Sequence, residues 1–208
     1  MVVICHGVNS HGGQYLWAGE QFAARGLAAY ALDLRGHSAG VVVSCTYTLE
    51  HQAELAGLIC ERFAFKVPAP DLTLAVIKGL AYVAPKLPAL KLKNEDFSRD
   101  PKAVQALHAD PLTRNEVQPA KTVAALVRAD ERLKKSFPLI TLPVFILHGT
   151  ADKATVPSGS QFLYDTAGSK DKTLKLYEGH FHDLLNDLGK EAVMADIQGL
   201  IDKRLNQP

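Results

Sequence analysis

Short apolar runs alternate with helix-like segments in the first third of the chain. Met1–Cys5 is a continuous apolar run, which predicts a strand buried on both faces, and Leu27–Leu34 predicts a second, weaker strand. Between them, Tyr15–Arg25 carries apolar residues at roughly helical spacing. Val41–Glu54 predicts another helix, and Ala56–Phe63 contains a further strand. This order predicts an α/β fold with a mainly parallel sheet and flanking helices.

The same alternation returns in the last third of the chain. It predicts strands at Leu142–Leu147 and Thr173–Tyr177 and helices at Ser160–Thr166 and Glu191–Leu205. We therefore assign residues 1–66 and 139–208 to one α/β core.

The middle of the chain, residues 67–138, has a different character and predicts an inserted helical cap. It is rich in proline, and its helical patterns lie at Leu72–Val83, Pro101–Ala109 and Lys121–Lys135. The first of these is apolar nearly all round. Such a helix must be buried in the cap or face an apolar ligand, and the pattern leaves both readings open.

Composition excludes several classes of function. The 208 residues carry a net charge of +1, which gives no reason to expect nucleic acid or an anionic membrane as partner. No apolar run is long enough to span a bilayer. Cys5, Cys45 and Cys60 are an odd set in apolar surroundings. This argues against a disulfide framework and favours buried thiols and a cytoplasmic location.

Candidate catalytic residues follow three of the predicted strands. Ser38 lies in Gly36-His37-Ser38-Ala39-Gly40, a G-x-S-x-G pattern between a strand and a helix. Asp152 and His182 follow later strands, and the carboxyl ends of parallel strands share one edge of a sheet. A serine hydroxyl needs an imidazole to take its proton, and the imidazole needs a carboxylate to orient it. The chain order Ser, Asp, His is that of one class of serine hydrolase.

The same reasoning nominates the groups that would stabilise an oxyanion. The backbone N–H of Ala39, after the nucleophile, and that of Val8, in the loop after the first strand, are the candidate donors. His180 rivals His182 as base, and Asp183 rivals Asp152 as acid, although a carboxylate adjacent in sequence is poorly placed for the orienting bond. The two histidines lack a carboxylate or cysteine cluster, so we expect no metal and no cofactor.

Several motifs together resemble the monoacylglycerol lipase and lysophospholipase group of α/β-hydrolases. They are His6-Gly7-Val8-Asn9-Ser10-His11, Ala31-Leu32-Asp33-Leu34-Arg35-Gly36, the G-x-S-x-G pattern, Phe97-Ser98-Arg99-Asp100, Ala109-Asp110-Pro111-Leu112, His148-Gly149-Thr150-Ala151-Asp152 and Glu178-Gly179-His180-Phe181-His182. The resemblance implies Ser38 as nucleophile, Asp152 as acid and His182 as base. It also implies Val8 and Ala39 as oxyanion donors, and a cap with an apolar channel for an acyl chain.

The chain departs from this family in two places. Members usually begin with a strand hairpin that precedes the strand before their His-Gly motif; this second strand, here Met1–Cys5, is called the HG strand. They also have a long segment between the L-D-L-R-G strand and the G-H-S-x-G turn. Here Leu34-Arg35-Gly36 runs directly into His37-Ser38. One fused strand cannot fill the slots on both sides of the HG strand. In the outer slot it would displace Ser38 by two strand spacings, about 10 Å.

We therefore predict that the fused strand of an active protein occupies the nucleophile slot, between the HG strand and the later strands. Right-handed crossovers then place the connecting helices on one face of the sheet, and we expect a second subunit to cover the other face.

The sequence supports two main hypotheses. The first is a serine carboxylic-ester hydrolase that cleaves small acyl esters of the monoacylglycerol kind through an acyl-enzyme. The alternative is a catalytically impaired hydrolase-fold protein that binds lipid or a partner, motivated by the missing segment. Amide hydrolysis is a weaker third option, since related families share the triad.

Overall fold

Parallel strands form the centre of the protein in the computed structural model, which describes residues 1–34, 40–63 and 71–205. The strands are β1 (Val2–Cys5), β2 (Ala29–Leu32), β3 (Leu58–Glu61), β4 (Pro88–Leu90), β5 (Gln118–Pro119), β6 (Val144–Gly149) and β7 (Lys172–Tyr177). The helices are α1 (Leu16–Ala23), α2 (Gly40–His51), α3 (Asp71–Val83), α4 (Pro101–Ala109), α5 (Ala120–Ser136), α6 (Pro157–Thr166) and α7 (Lys190–Leu205).

The strand β6 is the most deeply buried element. All six of its residues are buried, and it pairs in parallel with β3 on one side and with β7 on the other. Its sequence, Val-Phe-Ile-Leu-His-Gly, is the near-continuous apolar run that a strand covered on both faces requires. The predicted mainly parallel sheet with flanking helices is confirmed.

Helices cover both faces of the sheet formed by β3, β6 and β7. One face packs against α2, α5 and α6 through a cluster that includes Cys45, Ile146 and Leu163. The other packs against α1 and α7 through a cluster that includes Phe22 and Leu147. Alternate residues of β6 enter the two clusters, because successive side chains of a strand point to opposite faces.

The strands β1 and β2 form a separate parallel pair. Among the described residues, β2 pairs with β1 alone and β3 pairs with β6 alone, while α2 contacts both β1 and β3. The predicted placement of the fused strand in the nucleophile slot is therefore wrong, because a strand there would pair with both β1 and β3. The backbone holds β2 elsewhere: Leu34 N–H donates to His6 Nε2, and Gly12 N–H donates to Asp33 Oδ1, at 2.9 and 2.7 Å.

The prediction that β1 is buried on both faces is also wrong. Val2 and Ile4 pack against the cluster beneath α1, but Val3 and its neighbour Tyr30 on β2 are 48% and 57% exposed. One face of this pair is covered and the other is largely open. The expectation that the connecting helices share one face of the sheet is wrong, since α1 packs on the face opposite α2 and α6. A second subunit stays a prediction.

The elements between β3 and β6 form the region predicted as a cap. The helix α3 packs mainly against α5, and β4 pairs with β5 in antiparallel orientation. The apolar surface of α3 is divided, since Leu72, Tyr82 and Val83 are exposed. The domain boundaries at residues 67 and 138 stay a prediction.

All three cysteines are free, and the buried thiols of Cys45 and Cys60 lie 3.8 Å apart. Within the described residues, every helix is too short or too polar to cross a membrane.

One partly buried carboxyl on α5 makes the stability of the protein depend on pH. Burial raises the pKa of Asp130 to about 7, and Lys134, 3.6 Å away, only partly opposes this effect. An unfolded aspartate has a pKa near 3.9. The folded protein therefore holds a proton that the unfolded chain releases, so the associated stability is lost as pH rises from about 4 to about 7.

We predict that Asp130→Asn stabilises the protein more at pH 8 than at pH 5, by about 1 kcal/mol after allowance for solvent screening. Urea unfolding at both pH values measures the difference. Glu131→Gln is the matched control, because the hydrogen bond from Lys78 lowers the pKa of this neighbour, the opposite direction to that of Asp130. An Asp130→Asn effect of equal size at both pH values would contradict the prediction.

Candidate active site

The loops that follow β6 and β7 are joined by backbone hydrogen bonds. Thr150 N–H donates to the carbonyl of Tyr177 at 2.9 Å, and Ala151 N–H donates to the carbonyl of His180 at 3.0 Å. The hydroxyl of Thr150 accepts from Gly179 N–H at 2.8 Å. These contacts fix the loop that carries Asp152 against the loop that carries His182.

A glycine at the end of β6 makes this close approach possible. A Cβ atom on Gly149 would lie 2.3 Å from the carbonyl oxygen of His180 and 2.5 Å from that of Phe181. Atoms of a folded protein do not approach so closely, so any larger residue would push the two loops apart. This is the physical requirement behind the glycine of His148-Gly149-Thr150.

Asp152 and His182 meet in a hydrogen bond. His182 Nδ1 lies 2.8 Å from Asp152 Oδ2, and the aspartate side chain is fully buried. The N–H groups of Ala154 and Thr155 donate to its Oδ1 at 2.8 and 2.9 Å, and the Thr155 hydroxyl donates to Oδ2 at 2.7 Å. The carboxylate is thus held by its own loop before it contacts the imidazole.

A second histidine, His148, also contacts the carboxylate of Asp152. His148 Nε2 lies 3.0 Å from Asp152 Oδ2, and Ser160 Oγ lies 2.7 Å from His148 Nδ1. In the sequence, His148 stands out only as part of a family motif, and the roles of Thr155 and Ser160 were missed. Asp152 accepts from the backbone N–H groups two and three residues later, a turn that aspartate favours, and this pattern could have placed Thr155 beside it.

Electrostatics set the charge states of the pair. Burial alone would raise the pKa of Asp152, but hydrogen bonds from His148 and His182 outweigh it and hold the pKa well below its usual range. Burial lowers the pKa of His182; its bond to Asp152 opposes that shift, and the charge of Arg62 adds to it. At neutral pH an ionised aspartate therefore orients a neutral imidazole, whose Nε2 can accept a proton.

A buried charged network lies beside His182. Arg62 forms an ion pair with Asp183 at 3.0 Å and donates to the Tyr15 hydroxyl at 2.7 Å. Burial raises the pKa of Tyr15 to about 12 and that of Glu61 to about 7, although Arg62 opposes both shifts. Asp183, the rival carboxylate of the sequence analysis, is thus engaged with Arg62, while the orienting bond to His182 comes from Asp152.

The rival histidine, His180, points to a different carboxylate. Its Nδ1 lies 3.7 Å from Asp187 Oδ2, too far for a hydrogen bond. Asp187 accepts hydrogen bonds from the N–H of Phe181 and from Arg99 instead. Burial lowers the pKa of His180, and the charge of Arg99 adds to this.

The Phe97-Ser98-Arg99-Asp100 motif connects the site to the cap region. Phe97 packs edge-on against the His182 ring, with centroids 5.1 Å apart. Asp100 accepts from Lys102 N–H as the N-cap of α4. Arg99 forms an ion pair with Asp187, whose Oδ2 lies 2.8 Å from its Nε.

Val8 lies in the loop after β1, on the wall of the same cavity as His182. The loop is anchored through His11, whose Nε2 lies 2.6 Å from Asp110 Oδ2 in the cap region. The start of α2 abuts β1, since a Cβ on Gly40 would lie 2.2 Å from the carbonyl oxygen of Cys5. The predicted nucleophile Ser38 and oxyanion donor Ala39 lie outside the described residues.

A cavity of about 750 Å³ opens onto His182. Its walls are mostly apolar and include Leu74 and Ile77 of α3 and Leu126 and Val127 of α5. This volume is in the range that holds small organic ligands. Part of the apolar surface of α3 therefore faces a cavity, one of the two readings that the sequence left open. Among the described side chains, none form a cluster of three or more metal-ligating groups.

Comparison with known proteins identifies the family. The Hydrolase_4 family, described as "Serine aminopeptidase, S33", matches residues 1–39 and 34–189. The chain belongs to this α/β-hydrolase family. A monoacylglycerol lipase from Mycolicibacterium smegmatis is 27% identical in an alignment that is 250 residues long, gaps included. The alignment covers 99% of this chain and 89% of that protein. The predicted resemblance to the monoacylglycerol lipase group is confirmed.

Two further relatives agree with this assignment. The structure of a Paleococcus ferrophilus monoacylglycerol lipase superposes on the hydrolase with a TM-score of 0.86 and 25% identity, and covers 98% of this chain and 94% of that one. A caffeoylshikimate esterase from Arabidopsis thaliana is 30% identical over 84% of this chain, which spans 55% of that protein's length. The hydrolase is thus of the lipase and esterase type.

The comparisons also locate the departure from the family. Residues 34–39 belong to both matched ranges, so one stretch of the hydrolase matches the family twice. The alignment with the mycobacterial lipase, at 250 residues, is longer than the chain itself. Both observations agree with two motifs that stand apart in relatives and are joined here.

We predict that Gly149→Ala destabilises the hydrolase by about 1–3 kcal/mol, because the added methyl group forces the loops after β6 and β7 apart. Thermal unfolding measures the loss. The low-field NMR signal of the His182 Nδ1 proton should disappear with the Asp152 bond.

Gly79→Ala is the matched control. Gly79 lies within α3, where a Cβ would meet nothing within 4 Å, so alanine should stabilise the helix slightly. Equal melting temperatures for Gly149→Ala and the unsubstituted protein would contradict the account of the loop contact.

Proposed function

We propose that the protein is a serine carboxylic-ester hydrolase in which Ser38, His182 and Asp152 act as nucleophile, base and acid. The observation that carries the proposal is the 2.8 Å hydrogen bond between a buried, ionised Asp152 and a neutral His182 at the wall of an apolar cavity. This is the orienting half of a triad. The position of Ser38 in the G-x-S-x-G motif supports its role.

The reaction proceeds in two halves. His182 Nε2 takes the proton of the Ser38 hydroxyl as the oxygen attacks the ester carbonyl, and the N–H groups of Val8 and Ala39 bind the oxyanion. The imidazolium then gives its proton to the leaving alcohol as the C–O bond breaks, which leaves an acyl-enzyme. Water, deprotonated by His182, attacks the acyl carbonyl and releases the acid, and the proton returns to Ser38.

The proposed substrates are monoacylglycerol-like or short acyl esters. Relatives named as monoacylglycerol lipases and an esterase support this class, and so does the apolar cavity beside His182. A cytoplasmic location remains a prediction from the cysteine content.

One observation favours a second candidate, a catalytically impaired protein that binds lipid. Among the described residues, β2 pairs with β1 alone and no strand lies between β1 and β3, which is the arrangement in which the sequence predicts a displaced Ser38. Binding of an acyl ligand together with zero turnover of p-nitrophenyl butyrate would favour this candidate.

We predict that His182→Ala lowers kcat for p-nitrophenyl butyrate at least about a thousandfold, because the base and its orienting bond are lost together. His180→Ala, which leaves the Asp152 bond intact, should only weaken activity. Steady-state kinetics of both variants check this. Comparable losses from the two substitutions would contradict the assignment of the base.

Labelling by a fluorophosphonate probe tests the nucleophile. The unsubstituted protein should be modified at Ser38, and Ser38→Ala should not react. A folded protein that takes no label and turns over no ester would overturn the proposed function.

We predict that kcat/KM for this ester falls with acid through a pKa below 6.5, because burial keeps His182 neutral to lower pH than a free imidazole. A pH–rate profile from pH 4.5 to 8 measures this value. Asp152→Asn should move the midpoint lower still, since the carboxylate bond favours the charged ring. A midpoint above 7 would contradict the assigned roles.

A further inference from the structure

The cavity beside His182 extends along the edge of β1. Four consecutive residues of this strand, Val2 to Cys5, line it. Successive side chains of a strand point to opposite faces of a sheet, so a cavity over one face would touch only alternate residues. The cavity therefore runs beside the strand, in the space between β1 and β3, where Ile59 and Glu61 form the opposite wall.

Elements from both faces of the sheet contribute to the same cavity. Phe22 of α1 and Ile197 of α7 come from one face, and Val41 and Val42 of α2 come from the other. A cavity that touches helices on both faces passes through the sheet. This is consistent with the division of the sheet into β1–β2 and β3–β6–β7.

The chemistry of the walls changes along the cavity. Arg62 and Glu61 lie near His182, and the part between the strands is bounded by Val2, Ile4 and Ile59. Further charged groups of the wall, Asp130, Glu131 and Lys134, belong to α5 and not to the strands. A ligand with one polar end and an extended apolar chain matches this gradient, since burial of each CH₂ group contributes about 0.8 kcal/mol.

We propose that the space between β1 and β3 binds the distal part of a long acyl chain whose ester lies at His182. The chain then passes through the sheet, in addition to the apolar surface that α3 and α5 provide. This assignment rests on the proposed function for the location of the ester. It makes Ile59 a residue that determines acyl-chain length.

Two measurements with Ile59→Trp test the proposal, because the indole fills the space between the strands. The first is direct binding of cis-parinaric acid, a fluorescent 18-carbon fatty acid, to protein that also carries His182→Ala. Affinity should fall at least tenfold. The second is the ratio of kcat/KM for 16-carbon over 4-carbon p-nitrophenyl esters, which should also fall at least tenfold.

Leu16→Trp is the matched control, because Leu16 is 69% exposed on α1 and an indole there stays in solvent. Leu16→Trp should change neither the affinity for the fatty acid nor the chain-length ratio of kcat/KM. Ile59→Ala provides a variant in the opposite direction, since a wider space should shift the preference towards longer chains. Circular dichroism and thermal unfolding establish that each variant is folded.

The outcomes separate this proposal from the proposed function. If Ile59→Trp reduces fatty-acid binding and the protein with an intact His182 cleaves no ester, the acyl cavity is supported and the hydrolase mechanism is rejected. Unchanged binding and an unchanged chain-length ratio in folded Ile59→Trp would overturn the acyl cavity, whether or not the protein is an esterase.

Discussion

The candidate site depends on how closely two backbone segments can approach each other. The carbonyl groups of His180 and Phe181 rest on the end of β6 at Gly149, at a distance that leaves no room for a side chain. That contact brings the His182 ring to Asp152, whose carboxylate is already fixed by Thr155 and by its own loop. Packing of main-chain atoms therefore comes before the polar chemistry, and it places a histidine and an aspartate from distant parts of the chain within one hydrogen bond.

The sheet that supports this contact is continuously hydrogen-bonded from β3 to β7 but not from β3 to β1. The strand β6 is paired on both edges and covered on both faces, so the loops at its carboxyl end have a rigid base. The pair formed by β1 and β2 is joined to this base through helices, since α1 packs near α7 and α2 contacts both β1 and β3. The loop that carries Val8 and the loop that carries His182 thus rest on different parts of the protein. Side-chain and helix contacts, rather than strand pairing, set their separation.

Much of this could be predicted from local patterns in the sequence. The buried run before His148, the helical periods and the motif around Asp152 each depend on residues that are close along the chain, and the structure has these elements within a few residues of the predicted bounds. The position of β2 could not be predicted in this way. Both slots beside β1 accept the same apolar strand, and the choice depends on contacts such as that between Leu34 and His6, far apart in sequence. Ser160 beneath His148 was missed for the same reason.

The division of the sheet also has a consequence for how the protein opens. Hydrogen bonds on both edges of β6 hold it in the best-protected part of the molecule, whereas β1 and β2 share one ladder and expose one face. Regions with fewer buried contacts open at lower free energy than the core. Amide protons of β1 and β2 should therefore exchange with solvent through partial opening, while those of β6 wait for global unfolding. The protein would then consist of two cooperative units of unequal stability, and the proposed acyl cavity would lie between them, with β1 on the weaker side and β3 on the stronger side.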